Sequence, residues 1–243
     1  GCSLAIRRGS RNALLGANGS GKTTLLQHFN GLLKPTAGCL SFDGAPFDTS
    51  RAGLNALRRR VGLVFQNPDR QLFSASVFED VSFGPLNLGL DEATVRRRVA
   101  DALAAVGMAE QADRPVHHLS FGQKKRVCIA GVLAMQPALL ILDEPMAGLD
   151  HAMQQELLAV LDQLHAVGIT LLMATHDIDF AYRWAERIHL MAAGRCTASL
   201  NAAELGEHPE ALAALGLPLP EVITLHRELV GRGVLPANPP PRC

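Results

Sequence analysis

Four short apolar runs punctuate the chain, each closed by a polar or glycine-rich break. Residues 13–15 (ALL) run into a glycine-rich turn, 60–66 read RVGLVFQ, 138–143 read ALLILD and 170–175 read TLLMAT. Continuous apolar runs of this length, bounded by turn residues, suit strands buried on both faces, as in a parallel sheet. Residues 22–30 after the first run read as a helix. Between the second and third runs the period changes. Val95, Val99, Leu103 and Val106 share one helical face over 91–107, with Asp91 as cap. Segment 72–135 therefore reads as a helical insertion into an α/β core. Residues 188–192 and 195–200 flank Ala193-Gly194 as a closing hairpin. From 206 the chain turns Ala-rich and helical, continues through an apolar stretch at 219–230, and ends in PANPPPRC, which reads as extended or disordered.

Charge narrows the function classes. Lys plus Arg and Asp plus Glu both total 23, which argues against a nucleic-acid binder. The run Arg96-Arg97-Arg98 sits inside the insertion helix and reads as a solvated face. No stretch reaches the ~18 apolar residues of a bilayer span, and GCSLAIRRGS is too polar for a secretory leader. A cytoplasmic chain is expected, unless a partner holds it at a membrane. The five cysteines are scattered and form no C-x-x-C pair, so reduced thiols are expected. His117-His118 lacks further ligands at metal-site spacing. The opening lacks Met and leaves little chain before the first strand, so missing N-terminal residues are expected.

The candidate chemistry begins where the first strand ends. Residues 16–23 read GANGSGKT, matching G-x-x-x-x-G-K-[ST] at every fixed position, in the strand–loop–helix setting that pattern requires. The loop Gly16-Ala17-Asn18-Gly19-Ser20-Gly21 and the helix start Lys22-Thr23-Thr24 would cradle the phosphates of ATP. Lys22 would reach the β- and γ-phosphates, and the Thr23 hydroxyl would ligate Mg2+. Asp143 ends an apolar strand and suits the same Mg2+. Glu144 follows at once and can polarise an attacking water. Gln66 and His176 each follow a strand. His176 could hydrogen-bond the γ-phosphate or hold the water, and Gln66 could touch Mg2+ or the water, though a strand-end His is by itself commonly structural and a lone Gln is weak evidence. Ser120 and Gln123 in LSFGQ form an S-x-x-Q capping box at a helix start. That box reads either as an ordinary cap or as a second anion site beside Gly122.

GANGSGKT, Gln66, LSFGQ, LLILDEP, AGLD and His176, taken in order, resemble the nucleotide-binding subunit of ABC transporters over residues 4–205, LSFGQ being the most specific element. The resemblance implies a P-loop NTPase (RecA-like) core at 1–71 and 136–205, a helical signature subdomain at 72–135 and a C-terminal tail at 206–243. It implies a head-to-tail dimer, either a homodimer or a pair with another ATPase subunit. In it Ser120, Phe121, Gly122 and Gln123 of one chain contact the ATP held by the other, so the anion-site reading becomes the favoured one. Glu144 would be the catalytic carboxylate, Gln66 the Q-loop, Asp150 the D-loop and His176 the switch histidine. Residues 64–90, LSFGQKKRVCIAGVLAMQP and THDIDFAYRWAERI are similar to the ATPases of energy-coupling-factor importers, above all the cobalt/nickel group. That implies an integral coupling protein and a substrate-capture protein as membrane partners, at the cytoplasmic face of the inner membrane. Leu72, Phe73 and Phe78 are candidates for the coupling contact or, equally, for subdomain core. A vitamin importer such as one for biotin, or a soluble ABC ATPase, are the alternatives. Phe121, Met146 and His151 depart from the usual Gly, Thr and Pro. GCSLAIRRG supplies no aromatic to stack on adenine, from which ATP binding ~10–100-fold weaker is expected.

Overall fold

The computed structural model describes residues 2–236 together with Asn238, Pro240 and Arg242. Strand β1 (Arg11–Leu15) leads through the glycine loop into α1 (Lys22–Phe29). A two-stranded hairpin of β2 (Ser41–Phe42) and β3 (Ala45–Pro46) and helix α2 (Arg51–Arg60) precede β4 (Val61–Val64). Three helices follow: α3 (Val77–Asn87), α4 (Glu92–Ala105) and α5 (Phe121–Leu133). The core resumes with β5 (Leu139–Asp143), α6 (His151–Ala166), β6 (Thr170–Thr175) and α7 (Ile178–Trp184). Strands β7 (Arg187–Ala192) and β8 (Arg195–Asn201) close the sheet, and α8 (Pro209–Ala213) and α9 (Glu221–Gly231) form the tail.

The main sheet runs β4-β5-β6-β1-β7-β8. Its first five strands pair in parallel, and β8 pairs antiparallel with β7. The four apolar runs of the sequence are β4, β5, β6 and β1, adjacent in that order in the sheet, and 188–200 is the hairpin. Side chains on successive residues face opposite sides of a strand. Leu14, Leu139, Ile141, Leu172 and Ala174 accordingly pack on one face with Leu26 of α1 and Leu57 of α2. Ala13, Leu15, Leu140, Leu142, Leu171 and Met173 pack on the other with α4–α7. The central parts of β1, β4, β5 and β6 are therefore continuously apolar because both faces are covered.

Several boundaries differ from the sequence reading. Arg60 ends α2 and Gln66 lies beyond β4, whose ladder stops at Val64. Phe65 N–H donates instead to Gln71 Oε1 at 3.1 Å. Helix α6 was absent from the pattern above, although Leu157, Val160, Leu161 and Leu164 recur at helical spacing and are buried. Segment 72–135 contains α3, α4 and α5 and no strand. Asp91 caps α4 through Thr94 N–H, and Val95, Val99 and Leu103 face the core. Leu72 and Phe78 pack against that core, whereas Phe73 is 65% exposed. Phe73 meets Phe83 edge to face at 4.7 Å between ring centroids. Cys2, Cys39, Cys128 and Cys196 are free thiols, and Cys243 lies outside the described residues. Ala237, Pro239 and Pro241 of the Pro-rich end lie outside them too; the Arg242 guanidinium donates to Tyr182 O. No described helix is long and apolar enough to cross a membrane.

One buried polar chain stitches β1 to the closing hairpin. Asn12 donates through Nδ2 to Ser10 Oγ at 2.8 Å and to Leu171 O at 3.3 Å. Its Oδ1 is thereby left as acceptor for His189 Nε2 at 3.4 Å, and Ser199 Oγ lies 2.8 Å from His189 Nδ1. His189 is fully buried, and desolvation holds its pKa down to about 4. The folded state thus binds this proton only near pH 4, the unfolded chain near 6.5. Stability is lost as pH falls from 6.5 toward 4, by about 3 kcal/mol in total from this group. Urea unfolding of the wild-type protein and a His189→Gln variant from pH 7 to 4 is expected to show that part of the acid slope only in the wild type.

Candidate functional site

Parallel pairing aligns the carboxyl ends of the strands. Leu15 pairs with Thr175, and Asp143 with Ala174, so the residues immediately after β1, β5 and β6 meet at one edge. Ligands of open α/β sheets bind outside that edge. Asn18, Gly19, Ser20, Gly21, Lys22, Thr23 and Thr24, with Gln66, Asp143 and Glu144, line a cavity there of about 310 Å³.

The loop conformation depends on glycine at two places. Gly21 has φ of 100° and precedes the first residue of α1, a backbone state that L side chains avoid. A Cβ on Gly16 would overlap Met191 O and stand 2.7 Å from Ser20 Oγ. Gly194, at the β7–β8 turn, donates its N–H to Ser20 O at 2.9 Å. Its Cα would lie 3.2 Å from a Cβ on Gly21. The hairpin thus backs the loop from behind, a support that the loop motif itself does not signal.

Lys22 Nζ donates to Gly16 O at 2.7 Å and Ala17 O at 3.3 Å. It lies 3.3 Å from Glu144 Oε1 in an ion pair whose partners are both nearly buried. His176 Nδ1 is 3.0 Å from Glu144 Oε2, its ring side chain more than half exposed. Lys22, Glu144 and His176 thus form one contiguous group. Glu144 takes φ of 45°, a left-handed state that costs a non-glycine residue roughly 1–2 kcal/mol. Its N–H still donates to Ala174 O at 3.0 Å, so the residue remains tied to β6.

Thr23 Oγ1 donates to Asp143 Oδ2 at 2.7 Å. Asp143 Oδ1 and Ser20 Oγ are buried and have no hydrogen-bond partner among the described residues. Burial raises the Asp143 pKa, opposed by the Thr23 hydroxyl and reinforced by the neighbouring Glu144. An orphaned carboxylate oxygen beside a hydroxyl fits a hard divalent cation such as Mg2+, which takes oxygen ligands. The orphaned Ser20 hydroxyl suits an anionic oxygen.

Ser120, Gly122 and Gln123 sit apart from this cavity. They line a second one of about 210 Å³ with Arg126, Leu149, Met153, Glu156 and Leu157. The capping box is complete: Gln123 N–H donates to Ser120 Oγ at 3.3 Å and Ser120 N–H to Gln123 Oε1 at 3.0 Å. Phe121 turns its ring over Gly148, where a Cβ would approach Phe121 Cε1 to 3.0 Å. Asp150 lies in neither lining; its side chain caps α6 by accepting from Met153 N–H at 2.8 Å. Lys125, one turn into α5, was not singled out from the sequence. It is buried, its pKa lowered by desolvation to about 8. Its ammonium donates to Pro145 O and Ala147 O, both at 2.6 Å.

Comparison with known proteins agrees with this geometry. The ABC transporter family profile matches residues 1–147. The cobalt import ATP-binding protein CbiO of Rhodobacter capsulatus is 52% identical over 92% of this chain and 80% of its own. The energy-coupling factor transporter ATP-binding protein EcfA3 of Clostridium perfringens is 48% identical over 91% of this chain and 78% of its own. The solved structure of CbiO1 from Clostridium perfringens, described as part of the ABC transporter complex CbiONQ, superimposes with a TM-score of 0.80 and 47% identity. It covers 93% of this chain and 91% of that one.

Gly16→Ala must displace Ser20 or the Met191 carbonyl. The variant is expected to lose about 1–3 kcal/mol of stability as an overpacked site, read as a lower midpoint in urea or thermal unfolding.

Proposed function

The chain belongs to the ATP-binding proteins of ABC transporters, and from that premise we propose that it is the ATP-hydrolysing motor of an energy-coupling-factor importer, with cobalt as the foremost cargo and nickel next. The observation that carries the engine is the Lys22–Glu144–His176 group standing beside Thr23–Asp143 at one edge of the sheet. Residues 16–24 wrap the triphosphate. Lys22 leaves the carbonyls of Gly16 and Ala17 for the β- and γ-phosphates, which are stronger acceptors because they are charged. Thr23, Asp143 and Gln66 would hold Mg2+, which would supply positive charge against the phosphate oxygens. With Lys22 drawn to phosphate, Glu144 is free to accept from the attacking water and orient it in line, while His176 fixes the Glu144 carboxylate from the other side.

A second ATPase subunit is what the family resemblance adds. The cavity at Ser120–Gln123 shares no lining residue with the phosphate-loop cavity. As the resemblance implies, Phe121, Gly122 and the α5 amino terminus would serve a nucleotide bound by a partner ATPase subunit, with Asp150 at the same junction. Nucleotide binding closes the pair and hydrolysis reopens it. The division into core, signature subdomain 72–135 and tail is the arrangement this movement needs. Phe73, Phe83 and Leu86 are exposed apolar side chains of the segment beyond Gln66. They suit contact with an integral coupling protein at the cytoplasmic membrane face. Cobalt is supported by similarity to the Rhodobacter capsulatus protein.

Lys22→Ala is expected to abolish ATP binding by titration calorimetry. Glu144→Gln keeps every phosphate contact and removes the water's acceptor. Steady-state turnover is expected to fall about 10²–10⁴-fold, with an ATP-bound dimer accumulating on size exclusion. Wild-type turnover in that variant would remove Glu144 from catalysis. Labelled Co2+ and Ni2+ uptake, in cells making this chain with its membrane partners, reads the cargo. Uptake that vanishes with Glu144→Gln fits the proposal. ATPase activity without uptake of either ion would discard the metal and leave a vitamin importer.

A further inference from the structure

Lys125 projects from α5, five residues after the Ser120 cap, and is 3% exposed. A buried ammonium ordinarily demands a carboxylate or an equivalent set of acceptors. Lys125 meets that demand with main-chain carbonyls: Pro145 O and Ala147 O, both at 2.6 Å, and Glu144 O at 3.4 Å. An ammonium has three donors, and the three carbonyls converge because the turn after β5 is tight. Ala147 N–H donates to Glu144 O at 3.2 Å, Leu149 N–H to Met146 O at 3.3 Å, and Gly148 has φ of 76°. The turn begins at Glu144, whose own φ is left-handed. The Phe121 ring lies 5.1 Å from the same ammonium, adding an apolar and π contact on the side facing the helix start.

We propose that Lys125 is a positioning residue for Glu144: it clamps the carbonyls of the 144–147 turn, holds the strained Glu144 backbone, and thereby fixes the hydrolytic carboxylate rigidly to the helix that carries Ser120 and Gly122. The inference rests on the reading of Glu144 as the carboxylate that orients water. Lys125 touches neither nucleotide nor water and acts only through the turn. It also joins two half-sites inside one chain. The carboxylate serves this chain's own nucleotide, while the start of α5 serves the partner's. A shift of α5 on meeting the partner's nucleotide is therefore carried to Glu144 through one side chain.

The test compares Lys125→Met, which keeps the apolar stem and removes the donors, with Lys125→Arg, which keeps donors and charge. Both are made in the full-length protein, with Glu144→Gln alone and Lys125→Met/Glu144→Gln as controls. The Met variant is expected to lose on the order of 10–100-fold in kcat, the scale of a misplaced reacting group, with KM for ATP within about threefold because binding is untouched. The Arg variant recovers a large part of that loss. The double variant still forms the ATP-bound dimer of Glu144→Gln, showing an intact fold. Wild-type kcat in Lys125→Met, with Glu144→Gln inactive, overturns the inference and leaves the Glu144 reading standing. A double variant that cannot form the ATP-bound dimer makes Lys125 a folding residue and overturns it as well. Wild-type turnover in Glu144→Gln removes the reading and the inference together.

Discussion

A parallel sheet fixes where its strands end, and this molecule's chemistry depends on that constraint. Slanted, evenly spaced hydrogen bonds hold β1, β5 and β6 in a common register. The residue after Leu15 starts the glycine loop, Asp143 ends its strand, and His176 follows Thr175. A one-residue slip would turn every side chain of a strand to the other face. Leu139 and Ile141 would exchange with Leu140 and Leu142, so the two apolar clusters that flank the sheet penalise any slip. The packing that stabilises the core is thus also what sets the distance between Thr23 and Asp143.

Within that frame the site is assembled from groups left partly unmet. Lys22 is satisfied by its own loop carbonyls and by Glu144. Among the described residues Asp143 keeps one buried oxygen without a partner and Ser20 a buried hydroxyl, and Glu144 has a left-handed backbone. Each of these costs free energy in the unliganded protein. A bound nucleotide and a cation, as proposed, would relieve the first two. The third is held by carbonyl contacts to α5 rather than relieved.

Most of the parallel sheet was legible in the sequence because four of its strands carry continuous apolar runs, a pattern that survives without knowledge of neighbours. The loop was legible because phosphate binding restricts backbone as well as side chains. The Ser120 box was legible because capping is local. Helix α6 went unread despite Asp150 at its cap and four buried apolar residues at helical spacing. Leu72 and Phe78 could not be told from Phe73 by composition, since burial there is decided by the packing of α3 against the core. Lys125 stood unremarked in a basic run. Nothing local distinguishes a lysine that meets solvent from one that meets the carbonyls of a turn twenty residues away. The hairpin's support of the loop was hidden for the same reason: Gly194 and Ser20 are distant in sequence and meet only through the strand order.

Tips of β-hairpins are ordinarily the places where a chain tolerates insertions, tags or nicks. The β7–β8 turn is an exception to that rule. Its Gly194 leans on the phosphate loop through one hydrogen bond and one close backbone approach, and Met191 stands against Gly16. Lengthening this turn, or attaching a probe to it, would withdraw the backing of the glycine loop while every residue of the recognisable motifs remained unchanged. A reporter for this protein belongs at another loop, and natural variation between Ala192 and Arg195 bears on the support of the glycine loop.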